Sequence, residues 1–186
     1  APVIKMANDK DKEHCPLCGS STKYLSSDLR AVYPEERLLI ECLLGEPLKY
    51  INSSVWNCDS TYFFDGKKKN ISRDTFAKAN IEELIELLKK YKDSNNYNAF
   101  NKYSQKFVEI NRERLNYLIK EAYEFIQNSA SSFTPQTTIV SFSGGKDSTV
   151  TADLVVRALN NPNIVHVFGN TTLEFPYTIE YANRFR

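Results

Sequence analysis

A six-residue stretch, Ser143–Ser148, carries residue types that bind phosphate. Its order is Ser-Gly-Gly-Lys-Asp-Ser, and Thr149 adds a further hydroxyl group. Adjacent glycines let consecutive backbone N–H groups converge on one anion, and a helix that begins there adds partial positive charge. The lysine supplies a full positive charge, and the hydroxyl groups can donate hydrogen bonds to phosphate oxygens. The stretch therefore predicts a phosphate site, although an ordinary strand-to-helix turn is the alternative.

The surrounding chain contains the elements needed to position such a site. Apolar and amphipathic patterns predict a strand over 138–142, a helix over 148–160 and a second strand over 164–168. Ligands of α/β sheets bind beyond the carboxyl ends of the strands. We therefore expect the stretch at 143–148 and the loop at 169–172 to face the same crevice.

The spacing differs from that of two other phosphate-binding patterns. Lys146 directly follows the glycine pair and precedes an acid, so the stretch matches neither the Walker pattern nor the dinucleotide fingerprint. An acid beside a phosphate is repelled unless a cation such as Mg²⁺ intervenes or the acid caps the helix. Asp147 therefore predicts either a metal-assisted nucleotide site or a structural role.

The same residues resemble a known family. Ser143–Ser148 resembles the PP-loop of the adenine nucleotide alpha hydrolase superfamily, and Val165–Pro176 resembles the following strand and loop of its phosphoadenosine phosphosulfate (PAPS) reductase branch. That branch includes the ATP sulfurylase small subunit and the DndC proteins. Its strand usually ends in Asp-Thr, whereas Asn170-Thr171 stands here. The resemblance implies an α/β fold with a parallel sheet that binds an adenine nucleotide, either ATP or a sulfonucleotide (APS or PAPS).

The resemblance also implies roles for individual residues. Lys146 and Asp147 are the expected catalytic residues, the first as a fixed cation and the second through Mg²⁺. The backbone N–H groups of the loop are expected to stabilise charge on the leaving group. The expected nucleotide contacts are Ser141, Ser143, Gly144, Gly145, Lys146, Asp147, Ser148, Thr149, Gly169, Asn170 and Thr171.

Three functions in sulfur metabolism or nucleotide binding remain open. A PAPS reductase needs a nucleophilic cysteine near its C-terminus, and no cysteine follows Cys58. An ATP pyrophosphatase of the sulfurylase or DndC kind, which activates a substrate for sulfur transfer, is favoured chemically by the intact Lys-Asp pair. The third is a non-catalytic zinc-ribbon protein that binds a nucleotide or a nucleic acid. A reductant or sulfur-donor protein is the implied partner, and an iron–sulfur cluster is left open for residues beyond Arg186.

A possible metal site lies near the N-terminus. Cys15 and Cys18, in His-Cys-Pro-Leu-Cys-Gly, are typical of a zinc knuckle, which supplies two of four tetrahedral ligands. Cys42 lies in an apolar helical stripe and predicts a buried thiol, while Cys58 is compatible with either role. Some family members carry an N-terminal zinc ribbon, so the resemblance implies that the missing ligands precede Ala1. A turn with two thiols and no metal is the alternative.

Composition narrows the class of protein. The chain has 186 residues, of which 41% are hydrophobic and 25% charged, with a net charge of +1. This balance gives no general electrostatic argument for nucleic acid. The sequence contains no run of membrane-spanning length and no signal-peptide core, and its cysteine usage suits a reducing compartment. We therefore expect a cytoplasmic protein without a membrane partner.

The remaining sequence predicts how the chain is divided. A helix is expected over 35–44, and a β-hairpin over 54–67 with its turn at Asp65-Gly66. Helices are expected within 74–131, the second of them a single long helix whose apolar stripe runs from Phe100 to Ile126, followed by a linker over 129–136. The expected divisions are a zinc-ribbon and hairpin region at 1–70, a helical connection at 71–134 and the first part of a nucleotide domain at 135–186.

Overall fold

Helices and strands are both present, as expected for an α/β chain. The computed structural model describes residues 1–4, 14–134 and 137–185. Two units, Ala1–Arg112 and Glu113–Arg186, make up the chain. The elements in chain order are β1 (Arg30–Ala31), α1 (Pro34–Leu43), β2 (Val55–Cys58), β3 (Thr61–Phe64), β4 (Lys67–Asn70), α2 (Arg73–Ala77), α3 (Ile81–Tyr91), a 3-10 turn (Lys92–Ser94), α4 (Tyr97–Ile110), α5 (Arg112–Ala130), β5 (Ile139–Phe142), α6 (Lys146–Ala158), β6 (Val165–Phe168) and α7 (Pro176–Arg184).

The first unit contains a four-stranded antiparallel sheet in the order β1-β2-β3-β4. The predicted turn at Asp65-Gly66 is confirmed and joins β3 to β4. A second tight turn, between β2 and β3, was not predicted from the sequence. The Asn57 side chain holds that turn by donating to the carbonyl oxygens of Asp59, at 2.8 Å, and Thr61, at 3.1 Å. The predicted hairpin is therefore a three-stranded meander extended by β1.

Helix α1 packs on this sheet and carries a buried ion pair. Pro34 stands in its first turn, as predicted, because proline fixes a helical φ where no N–H partner is needed. Glu41 is fully buried and accepts hydrogen bonds from the backbone N–H groups of Leu48, at 3.0 Å, and Tyr50, at 2.7 Å. Arg37 lies 3.5 Å from the Glu41 carboxylate. Burial raises the pKa of Glu41 and lowers that of Arg37.

The long helix expected after residue 100 is broken at Asn111. This residue is 3% exposed, and its side chain donates to Phe107 O at 2.8 Å and to Pro2 O at 3.0 Å. It also accepts from the backbone N–H of Ile4 at 2.7 Å. The prediction of one continuous helix was wrong, because these tertiary hydrogen bonds hold Asn111 at the end of α4 and α5 begins at Arg112.

The second unit contains the parallel pair β5 and β6, with α6 packed on it. Its core is formed by Val140, Phe142, Ala152 and Ile164. Helix α6 begins two residues before the predicted start at 148. Helix α5 continues through the first two residues of the predicted linker, whose Pro135 and Gln136 lie outside the described residues. Among the described helices, none has the length and apolar character of a membrane span.

Candidate functional site

The glycine loop, Ser143–Ser148, connects the end of β5 to the first turn of α6. Gly144 has φ +75°, a left-handed conformation that a side chain disfavours. Gly145 is the N-cap of α6 and provides no side-chain hydrogen bond to the helix. A helix start without a side-chain cap presents backbone N–H groups and partial positive charge to its surroundings. The backbone of this loop therefore has the character of an anion site.

Hydroxyl groups hold the loop in shape by converging on one carbonyl. The side chains of Ser148 and Thr149 both donate to Gly145 O, at 3.0 and 2.9 Å. Ser143 donates its backbone N–H and its hydroxyl to Ser148 Oγ, at 3.2 and 3.1 Å. Three of the hydroxyls predicted to contact a nucleotide are thus also engaged in fixing the loop backbone.

The two predicted catalytic residues form an ion pair at the surface. Lys146 Nζ lies 2.9 Å from Asp147 Oδ1, and the two side chains are 80% and 88% exposed. Asp147 stands in the first turn of α6, where the helix dipole favours a negative charge. A phosphate bound at the loop would compete with Asp147 for the lysine, and a divalent cation could bridge the phosphate and the carboxylate.

The second predicted loop leaves the sheet beside the glycine loop. Phe142 and Phe168 are register partners in the parallel pair β5 and β6, so the chain leaves both strands at the same edge. Asn170 Oδ1 accepts from the backbone N–H of Thr172 at 2.8 Å, and Thr171 donates to Glu174 at 3.0 Å. Asn170 thus has a structural role that an aspartate could also perform.

Two further residues that were predicted to contact the nucleotide lie outside the glycine loop. Ser141 lies in β5 with its side chain exposed, on the face opposite the buried Val140 and Phe142. Gly169 follows β6, and a Cβ placed on it would meet no atom within 4 Å. Neither residue joins the hydroxyl network of the glycine loop.

Helix α7 contributes two residues to the site that were not predicted from the sequence. A Cβ built on Gly144 would lie 3.1 Å from Thr178 Cγ2. The hydroxyl of Tyr181 lies 3.1 Å from Thr149 Oγ1. Together with Phe185, these residues are spaced so that they lie on one face of a helix. This spacing is the sequence signal from which the packing of α7 against the glycine loop and β5 could have been predicted.

The Cys-x-x-Cys segment forms a tight turn that places its two thiols together. The backbone N–H of Cys15 donates to Ser20 O at 2.7 Å, and the N–H of Gly19 donates to Cys15 O at 2.9 Å. Gly19 has φ +68°, and His14 forms an antiparallel bridge across the turn. This geometry is compatible with two thiolates on one tetrahedral ion.

Hydrogen bonding favours the thiolate form of Cys18. The side chain of Ser20, at 3.0 Å from Cys18 Sγ, and then its backbone lower the pKa of Cys18 to about 7, and the Cys15 thiol adds a smaller effect. Thiolates are the form in which cysteine binds metal ions. The donor chemistry of the pair therefore fits half of a zinc site.

The other two cysteines have separate environments. Cys42 is buried in α1, as predicted, and burial raises its pKa. Cys58 accepts a hydrogen bond from the Ser26 hydroxyl at 2.9 Å. Within the described residues, no group of three or more His, Cys, Asp or Glu side chains is placed to hold a metal ion. Neither Cys42 nor Cys58 therefore completes a site with the knuckle there.

Comparison with known proteins finds a family match, which lies within the second unit. Residues 137–186 match the family model of the phosphoadenosine phosphosulfate reductase domain. No curated protein and no solved structure matches the chain. The matched segment contains β5, the glycine loop, α6, β6 and α7, which are the elements that build the candidate site. Over this segment, the chain is similar to the phosphoadenosine phosphosulfate reductase family.

Proposed function

We propose that the chain binds an adenine nucleotide, ATP or a sulfonucleotide, with its phosphate or sulfate end in the glycine loop. The observation that carries this proposal is the start of α6, where the N-cap Gly145 makes no side-chain hydrogen bond to the helix and Lys146 is the first helical residue. The adjacent loop at 169–172 supplies a second surface at the same edge of the sheet. The similarity of residues 137–186 to this family supports a role in sulfur metabolism.

Substitution of Lys146 tests the phosphate site directly. We expect Lys146→Ala to reduce ATP affinity measured by calorimetry by about tenfold or more, because hydrogen bonds to charged groups contribute about 1.5–3 kcal/mol. Lys120→Ala is the matched control, since Lys120 is also an exposed lysine of the second unit beside a carboxylate, that of Glu124 at 3.7 Å. Equal affinities of the two variants for ATP would refute the assignment.

Beyond binding, the candidate reaction is cleavage of ATP to AMP and pyrophosphate. The adjacent Lys146 and Asp147 side chains favour it, because the lysine and a metal ion held by the carboxylate would both stabilise the negative charge of a departing pyrophosphate. The four cysteines of the chain all precede the matched segment, so that segment contains no thiol to reduce a sulfonucleotide. Separate incubations with ATP, APS and PAPS, assayed for pyrophosphate and sulfite, distinguish the reactions.

Asp147 tests whether a metal ion takes part in binding. If Asp147 holds Mg²⁺, ATP affinity of the wild-type chain increases with Mg²⁺, and this dependence is lost in Asp147→Asn. If Asp147 serves only the helix start, both proteins respond equally to Mg²⁺, while the variant is slightly less stable because it lacks a charge near the helix dipole.

We also propose that Cys15 and Cys18 bind Zn²⁺ as two of its four ligands. Support comes from the tight turn and from the lowered pKa of Cys18. Elemental analysis is expected to find about one zinc per chain in the intact protein, as a four-ligand site requires. Cys15→Ser should lose that zinc, whereas Cys58→Ser should retain it. Equal zinc content in all three proteins would place the metal elsewhere.

A further inference from the structure

Helix α7 lies in close contact with the glycine loop. A Cβ on Gly144 would approach Thr178 Cγ2 to 3.1 Å, and it would lie 3.8 Å from both Thr178 O and Tyr181 Cδ1. Contacts of 3.1 Å require a neighbour to move, whereas the glycine leaves the helix in place. The loop and α7 therefore meet at Gly144 without an intervening side chain.

The direction of one hydrogen bond follows from the number of hydroxyl hydrogens. Thr149 donates its single hydroxyl hydrogen to Gly145 O at 2.9 Å. Its contact with the Tyr181 hydroxyl, at 3.1 Å, therefore has Tyr181 as the donor. A chain of donated hydrogen bonds thus runs from Tyr181 through Thr149 to the carbonyl of Gly145.

That carbonyl belongs to the peptide unit that also contains the Lys146 N–H. In a planar trans peptide, the C=O and the N–H point in opposite directions. Hydrogen bonds that hold Gly145 O on one side consequently orient the Lys146 N–H toward the other side. Because α6 begins at Lys146, this N–H belongs to the first helical turn, where an anion would bind.

Aromatic packing holds the Tyr181 ring independently of its hydroxyl. The ring centroids of Phe142 and Phe185 are 4.3 Å apart with an interplanar angle of 15°, and the Tyr181 ring lies 6.0 and 5.9 Å from them. Phe142 is 3% exposed and is the last residue of β5. Removing only the hydroxyl should leave this packing intact.

We propose that Tyr181 is a positioning residue for the phosphate site, acting through Thr149 on the peptide between Gly145 and Lys146. The proposal rests on the proposed function, since it concerns the same loop. It specifies that Tyr181 affects the phosphate-binding end of the nucleotide and leaves the adenosine end unchanged.

The test compares three ligands with the Tyr181→Phe variant of the full chain. ATP and inorganic pyrophosphate both reach the phosphate site, whereas AMP lacks the pyrophosphate group. Affinities for ATP and pyrophosphate, measured by calorimetry, should fall together by about two- to tenfold, as expected for one hydrogen bond. AMP affinity and the melting temperature of the ligand-free protein should remain unchanged. Tyr177→Phe, on the same helix at an 84% exposed residue, is the matched control.

A double-mutant cycle with Thr149→Val tests the connection itself. If Tyr181 acts through Thr149, adding Tyr181→Phe to Thr149→Val causes no further loss of pyrophosphate affinity. Independent losses that multiply would overturn the proposed connection, and unchanged ATP affinity in Tyr181→Phe would overturn the role of Tyr181. Failure of the wild-type chain to bind ATP or pyrophosphate would instead refute the proposed function, and this inference with it.

Discussion

Replacement of Gly144 by alanine tests the geometry on which the candidate site depends. The φ of +75° disfavours any L side chain, and a left-handed conformation costs alanine about 1–2 kcal/mol. The new Cβ would also meet Thr178 Cγ2 at 3.1 Å, so either α7 or the loop must shift by a few tenths of an ångström. We therefore expect Gly144→Ala to destabilise the chain by at least about 1–2 kcal/mol.

Urea unfolding followed by circular dichroism measures this loss. For small domains the free energy of unfolding falls by about 1–3 kcal/mol per molar urea, so a loss of about 1–2 kcal/mol should lower the midpoint by about 0.3–2 M. Gly169→Ala is the stability control, because a Cβ there meets nothing within 4 Å and Gly169 does not have a positive φ. Equal midpoints for the two variants would show that neither the left-handed turn nor the contact with α7 is as described.

Two further predictions concern acidic side chains of the first unit. Glu41→Gln should reduce the free energy of unfolding by about 3–5 kcal/mol, measured by urea unfolding, because it leaves the buried Arg37 charge without its carboxylate; a loss below 1 kcal/mol would contradict the buried pair. Hydrogen bonds from Lys49 and Lys69 hold the pKa of Glu46 at about 2, below its ordinary 4.5. The contribution of Glu46 to stability should therefore be present above pH 4.5 and disappear as pH falls through 2. The unfolding midpoints of the wild type and Glu46→Gln should accordingly differ at pH 7 and converge at pH 2. A difference independent of pH would refute the ion pairs.

The elements around the glycine loop could be predicted because their signals are local. Three patterns occur within about twenty consecutive residues. Alternating apolar residues indicate the strand, two adjacent glycines indicate the turn, and an amphipathic run indicates the helix. The parallel pairing of β5 and β6 agrees with the fold class. Local patterns were sufficient here because neighbouring segments form these contacts.

Features that depend on distant residues were missed. Nothing near Asn111 ends the helical pattern, and the break arises from hydrogen bonds to Pro2 and Ile4. The contact of Tyr181 with Thr149 likewise requires α7 to pack on the first turn of α6, 32 residues earlier. These two cases are tertiary contacts that propensity and periodicity do not contain. The turn after β2 was missed for a local reason, because it depends on the Asn57 side chain and lacks a usual turn dipeptide.

The hydrogen bonds between Asn111 and the N-terminal segment have a consequence for the order of folding. Its bond to Ile4 joins residues 107 positions apart, so forming it closes nearly the whole first unit into a loop. Contacts of such separation are entropically expensive until intervening structure has shortened the connection. The segment before residue 5 should therefore dock late, after the sheet and α4 have formed. Protection of the Ile4 amide in pulsed hydrogen exchange should accordingly appear later than protection of strands β2 and β3.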